Sequence, residues 1–287
     1  MSAKKILVTG SNGQLGSEIR ELSNHYPGYI FLFTDKEELS IIDENAVNAF
    51  FDEHQPSFCI NCAAYTAVDK AEDPAERPLV EALNADAAGY LAKACARHNA
   101  KFIHVSTDYV FDGNNTVPYK ETDITEPTSV YGITKLSGEQ QAMDYTDSII
   151  IRTAWVYSPY GKNFVKTMLH LMHNKPQISV VSDQFGTPTY AADLAAVIMQ
   201  IVASDKWYPG VYHYTNEGQI NWYEFALAIK EITGAACEVK AIPTSEYPTP
   251  AKRPAWSVLD KSKIREVYSI AIPGWRKSLE ACISKIS

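Results

Sequence analysis

The 287-residue chain has little of what marks a secreted or membrane-spanning protein. Its five cysteines, an odd number at this length, do not suggest a disulfide framework. No apolar run approaches the roughly 20 residues of a membrane helix, and the opening "MSAKKILVTG" reaches glycine too soon for a signal peptide. The expected location is therefore cytoplasmic. Low-complexity tracts and internal repeats are also lacking. At a net charge of −8 the chain has no basic balance suited to nucleic acid, although a few local cations would suffice for an anionic small ligand. Seven histidines fall without metal-ligand spacing, so no catalytic metal is expected. Cys59 and Cys62 form C-x-x-C in "FCINCAA", but zinc would need a second ligand pair, and a redox dithiol usually opens a helix. Small buried side chains are the preferred reading.

What the chain does have is an α/β rhythm. Lys5 to Val8, "YIFLFTD", "SFCINCAA", "AKFIHVST" and "DSIIIRTAWVY" read as five buried strands. Helical stretches separate them: "LGSEIRELSNH", "DENAVNAFFDEH" capped by Asp43, Arg77 to His98, and Ser129 to Met143. Strands apolar on both faces and alternating with helices indicate a Rossmann-type, doubly wound parallel sheet. Beyond Tyr157 the pattern loosens. Helices near Asn163–His173, Ala191–Ala203 and Asn221–Thr233 alternate with short strands, and "AIPTSEYPTPAKRPAW" should be irregular. The expectation is a dinucleotide domain over 1–157, rejoined by the chain around 190–215, and a smaller substrate lobe over 158–287.

Gly10, Gly13 and Gly16 follow the first strand and open a helix. Such a turn lets backbone approach a pyrophosphate, and the helix start supplies amides and a positive dipole end. Asp35 ends the second strand, where an acid can bond ribose hydroxyls; Lys36 beside it could take a 2′-phosphate, so NADPH and NADH both stay open. Tyr131 and Lys135 stand i, i+4 on one helix face, about 6 Å apart along the axis. A ketone that receives hydride needs a proton as the alkoxide forms. A phenol, ordinarily titrating near about 10, is a weak acid for that task; a neighbouring ammonium lowers its pKa. Thr107 or Ser106, at the end of the fourth strand, can donate to the carbonyl oxygen. In the second lobe, Arg253 suits a diphosphate, Asn163 and Phe164 could open a helix toward the nucleotide, and Trp155 could pack on a sugar face. Asn84 lies mid-helix, where asparagine is unfavourable, and could brace backbone or relay through water.

With "TGSNGQLG", "VSTDYVF" and "YGITK" in order, the chain resembles the extended short-chain dehydrogenase/reductases. "NCAAYTAVDKAE", "STDYVFDG", "RTAWVYS", "QFGTPT" and "PTSEYPTPAKRP" resemble signatures of the branch that acts on dTDP-linked keto-sugars, over Lys5 to about Trp256. That resemblance implies NAD(P)H-dependent reduction of the 4-keto group of dTDP-4-dehydro-L-rhamnose to dTDP-L-rhamnose. It implies Tyr131 as proton donor, Lys135 on the nicotinamide ribose, and Thr107 polarising the ketone. Asp108 and Trp155 would contact the sugar nucleotide. Gly13, Gln14 and Leu15 would line the pyrophosphate, with Cys62, Ala63 and Ala64 bordering the cofactor. Ser40 and Ile41 stand where relatives often carry an acid near the adenine, Cys62 replaces an alanine, and Tyr65 takes a place often held by histidine. Asp108 is followed by Tyr109 and not by a second acid, which favours plain reduction over epimerisation. Two other readings are a non-catalytic dinucleotide-binding subunit, like the accessory chain of methionine adenosyltransferase, and a reductase or epimerase of another deoxysugar nucleotide. Some relatives dimerise through a metal held by glutamates; the carboxylates here give no clear site for one, and homodimerisation stays open.

Overall fold

The computed structural model describes residues 3–204 and 206–286. Its first half alternates β1 (Lys4–Thr9), α1 (Gln14–Leu22), β2 (Tyr29–Thr34), α2 (Glu44–His54) and β3 (Phe58–Asn61). Then come α3 (Arg77–Glu81), α4 (Ala87–Arg97), β4 (Lys101–Thr107), α5 (Val130–Tyr145) and β5 (Ile149–Thr153). The Asp43 side chain caps α2 by accepting from Asn45 and Ala46 amides. The stretch Arg77 to His98 is helical but not uniform. A π-helical turn, Ala82–Asp86, joins α3 to α4 and holds Asn84, whose amide braces the loop after β3: it accepts from Tyr65 N and donates to Tyr65 O.

The chain leaves the sheet sooner than its apolar run implies. "DSIIIRTAWVY" reads as one strand, but β5 ends at Thr153 and Trp155 takes φ 49, turning the backbone outward. The remainder becomes β6 (Val156–Tyr157), followed by α6 (Phe164–Asn174), β7 (Gln177–Val181), β8 (Phe185–Gly186), β9 (Thr189–Tyr190) and α7 (Ala191–Ala203). β10 (Gly210–His213), β11 (Ile220–Asn221), α8 (Trp222–Thr233), β12 (Glu238–Ile242), α9 (Ser262–Tyr268) and α10 (Trp275–Ile286) complete the fold. α8 carries a reciprocal Asn221–Glu224 capping box and ends at Gly234 in a left-handed conformation.

A six-stranded sheet runs β10-β5-β4-β3-β1-β2, all neighbours parallel. The order reverses between β1 and β3, which places the ligand crevice of such a sheet at their carboxyl ends. Successive strand residues face opposite sides. Ile6, Val8, Ile60, Ile103 and Ile149 enter one core with α1, α7 and α9. Leu7, Cys59, Phe102 and Ile150 enter the other, with α2, α4 and α5. A separate core, built on Val165, Met168, Ile178, Phe225 and Leu279, unites α6, α8 and α10 with β7 and β12. Among the described residues no helix is long and apolar enough to cross a membrane.

Candidate active site

The loop from β1 to α1 is shaped by close backbone approach. Gly10 has φ 62, and a Cβ there would stand 2.7 Å from Ala63 N and Cα. A Cβ on Gly16 would stand 2.5 Å from Gly10 O. Gly13 N donates to Gly10 O at 3.0 Å, and Gly13 is the N-cap of α1 with no side chain to cap it. The first-turn amides, beginning at Gln14 and Leu15, therefore lack intrahelical acceptors. This cradle fits the pyrophosphate of a dinucleotide. Asp35 follows β2, and its carboxylate accepts from Asn12 N at 3.1 Å and Lys36 N at 2.9 Å, tying the strand end to the glycine loop. Lys36 pairs with Glu37 at 3.4 Å.

Other residues that the sequence singles out have partners of their own in the fold. The Gln14 side chain turns away from the loop: its Oε1 accepts from Asn163 Nδ2 at 2.9 Å and Ser158 Oγ at 3.3 Å. Asn163 also caps α6, accepting from Lys166 N at 3.1 Å, so its amide is spent on structure and faces the α1 start. Ile41 is packed in the core with Leu7 and Val47, and Ser40 is half-buried beside it. Cys62, Ala63 and Ala64 follow β3 as half-buried residues, with Ala63 N donating to Asn61 Oδ1 at 3.2 Å. Burial pushes the Cys62 thiol up, far from thiolate chemistry. Among the described residues no cluster of three metal-ligating side chains occurs.

The carboxyl end of β4 holds the residues that the sequence singles out for chemistry. Thr107 Oγ1 donates to Asp108 Oδ1 at 2.9 Å and accepts from Tyr109 N at 3.2 Å. Asp108 Oδ2 is buried without a partner among the described residues, and burial raises this carboxyl to about 6. α5 presents Tyr131 half-buried and Lys135 fully buried. Burial raises the Tyr131 phenol to about 12, opposed by the nearby Thr107 side chain. The expected depression by Lys135 is not in place. Lys135 Nζ instead donates to Val105 O at 2.7 Å and lies 3.3 Å from His104 Nε2. Burial lowers its own pKa to about 8.

Behind this edge lies a buried ion pair that gave no local sequence signal. Arg152 of β5 donates to Glu139 of α5 at 2.7 Å through Nη2 and at 2.9 Å through Nε. Ser106 Oγ completes the carboxylate at 2.5 Å. A cavity of about 620 Å³, within the range of small-molecule sites, opens beyond Tyr109. Tyr109, Trp155, Trp222, Asp69 and Arg253 line it. Tyr109 packs edge-on against Tyr131, ring centroids 5.6 Å apart, and so links the cavity to the Thr107–Tyr131 edge. Trp155 stacks on Trp222 at 3.5 Å and 11°. Arg253 Nη2 meets Asp69 Oδ2 at 2.6 Å, while Nη1 is buried and unpartnered among the described residues.

A hydroxyl, a phenol and a lysine at the carboxyl edge of a doubly wound sheet, below a glycine cradle, define the class as the short-chain dehydrogenase/reductases. The chain belongs to the family described as "RmlD substrate binding domain", whose model matches residues 4–287. It is 42% identical to a dTDP-4-dehydrorhamnose reductase of Aggregatibacter actinomycetemcomitans, covering 96% of this chain and 97% of that one. Among solved structures, a dTDP-4-dehydrorhamnose reductase of Clostridium acetobutylicum superposes with a TM-score of 0.94 at 41% identity, covering 98% of this chain and 99% of that one. One from Bacillus anthracis, in complex with NADP, gives 0.93 at 36% identity over the same shares.

Proposed function

We propose that this chain reduces the 4-keto group of dTDP-4-dehydro-L-rhamnose to dTDP-L-rhamnose, using NADPH or NADH. The observation that carries the reading is the junction at Tyr109, which joins the Thr107–Tyr131 edge to a cavity bearing an unpartnered guanidinium nitrogen. Likeness to relatives that bear this activity in their names, one of them in complex with NADP, adds to it.

When bound, the reduced nicotinamide supplies hydride to the C4 carbon. Every other part falls to the protein. Tyr131 gives its phenolic proton to the C4 oxygen as charge develops there. A phenol raised to about 12 is protonated at neutral pH, but the same rise makes it a weaker acid than a free phenol, so proton release depends on a cation beside the phenolate. Thr107 hydrogen-bonds the same oxygen and holds it in line. Lys135, when protonated, stabilises the phenolate left behind and binds the nicotinamide ribose. Gly10, Gly13, Gly16 and the start of α1 hold the pyrophosphate, with Asp35 at the adenosine ribose. In the substrate lobe, Arg253 exchanges Asp69 for the sugar-nucleotide diphosphate, Trp155 packs on the sugar, and Asp108 bonds its hydroxyls. The second core and its cavity form that lobe, while α7 and β10 return to the dinucleotide domain.

The test is a spectrophotometric assay with enzymatically prepared keto-sugar and each reduced cofactor in turn. Loss of nicotinamide absorbance that depends on keto-sugar, with dTDP-L-rhamnose as product, is expected. No turnover with either cofactor overturns the reading.

A further inference from the structure

The carboxyl edge carries a row of polar side chains that the mechanism above does not use. Register sets Thr9 beside Asn61 and Asn61 beside His104, on three adjacent strands. Each lies two residues beyond an apolar member of one core face, Leu7, Cys59 and Phe102, so all three point to the same side. They are buried, His104 completely. Such groups persist in an interior only when hydrogen-bonded.

Their hydrogen bonds run in one direction. Ala63 N, which can only donate, reaches Asn61 Oδ1 at 3.2 Å, and Thr9 Oγ1 donates to the same oxygen at 2.7 Å. The oxygen is thereby fixed, and Asn61 Nδ2 faces His104 Nδ1 at 3.1 Å. An amide nitrogen can only donate, so Nδ1 must accept. Burial, then the nearby Lys135, holds His104 well below its ordinary pKa, so the ring is neutral and its one proton sits on Nε2. That N–H points at Lys135 Nζ, 3.3 Å away. A neutral amine can accept it; an ammonium cannot.

We propose that His104 is a positioning residue for the reduction: locked by Asn61 with its proton on Nε2, it directs an N–H at Lys135, favours the uncharged amine, and so sets the pH at which Lys135 changes charge. The other groups facing Lys135 act as follows. Glu139, one turn further along α5, favours the cation, although Arg152 and Ser106 share its charge. Cys62, after β3, also favours the cation, but weakly because its thiol is neutral. Val105 O accepts from Lys135 in either state. His104 is the neighbour whose donor opposes the charge.

The catalytic meaning rests on the role given to Lys135 above, but the test does not. The Lys135 side chain is titrated by NMR in the isotopically labelled protein, native and as His104→Phe. The native midpoint should lie near pH 8, and the variant should shift upward by about one unit, a tenfold change in proton affinity. An unmoved or lowered midpoint overturns the proposal. Nitrogen shifts of His104 in the native protein decide independently, even if the variant does not fold: a proton on Nε2 is expected, and one on Nδ1 overturns the lock. If the native enzyme turns over keto-sugar, the high-pH limb of kcat/KM should follow the same shift. A uniform loss of rate with that limb unmoved would mean that His104 is only structural. Absence of turnover would count against the proposed reaction and leave both NMR results standing.

Discussion

The two sides of the active cleft are held by different physics. On the sheet side, buried polar groups constrain one another: Ser106, Glu139 and Arg152 in one network, Thr9, Asn61, His104 and Lys135 in another. On the lobe side, the wall consists of stacked aromatics, Trp155 on Trp222 with Phe164 against both Trp222 and Phe225, and a half-exposed ion pair, Arg253–Asp69. A buried network loses heavily when one member goes, because its partner is left charged and dry. Rim charges lose little stability, so Arg253 and Asp69 are free to exchange partners, whereas the stacked rings also pack on the second core. The proposed proton-transfer geometry is thus placed where it cannot drift, and the proposed substrate recognition where residues can exchange partners.

Three substitutions can break or sharpen this contrast, and a fourth tests burial elsewhere in the fold. Glu139→Ala should have the largest effect, costing about 3–5 kcal/mol in chemical denaturation because Arg152 stays buried without its carboxylate. A cost below about 1 kcal/mol would mean that the sheet side is not held as described. Arg253→Ala removes an ion pair of the same kind from the other wall, and there the readout should invert. Stability should change by less than about 1 kcal/mol, while KM for the sugar nucleotide should rise about 10- to 100-fold, as for one charged hydrogen bond. Next, Trp222→Ala should weaken keto-sugar binding about 2- to 10-fold through loss of the Trp155 stack, with kcat little altered.

The smallest effect tests a buried acid away from both walls. Burial raises Glu18 from 4.5 to about 7, opposed by Lys285, and its Oε1 has no partner among the described residues. The folded state therefore holds this proton more tightly than the unfolded chain does. The stability it confers is complete below the unfolded value and is lost as pH rises through about 7. Glu18→Gln should accordingly raise Tm by roughly 2–4 °C at pH 8, after discounting for solvent screening, and by almost nothing near pH 4.5. A gain confined to low pH would reverse the assignment.

Legibility in the sequence followed the range of the interactions. The glycine turn, the Tyr131–Lys135 spacing and the strand-helix alternation are local, and five of the six sheet strands could be placed from periodicity. The early end of β5 was not legible, since a left-handed Trp155 has no signature in an apolar run. The contact between Gln14 and Asn163 was not legible either, since they are 149 residues apart. Asn61 and His104 carry no local mark of their pairing either, because only strand register makes neighbours of them. A signal did exist: "FCIN" and "FIH" both place a polar residue two positions beyond a buried one, on one sheet face. α10, short and charge-rich, buries only Ser278, Leu279, Cys282 and Ile283 and gave too narrow a stripe to stand out.

The central claim is that Tyr131 delivers the proton to the ketone oxygen. Single-turnover oxidation of bound NADPH by keto-sugar, compared between the native protein and Tyr131→Phe, tests it most directly. The phenylalanine variant should bind NADPH as the native protein does and turn over about 10²- to 10⁴-fold more slowly, the span of a lost general acid. Native rates in that variant would contradict the account.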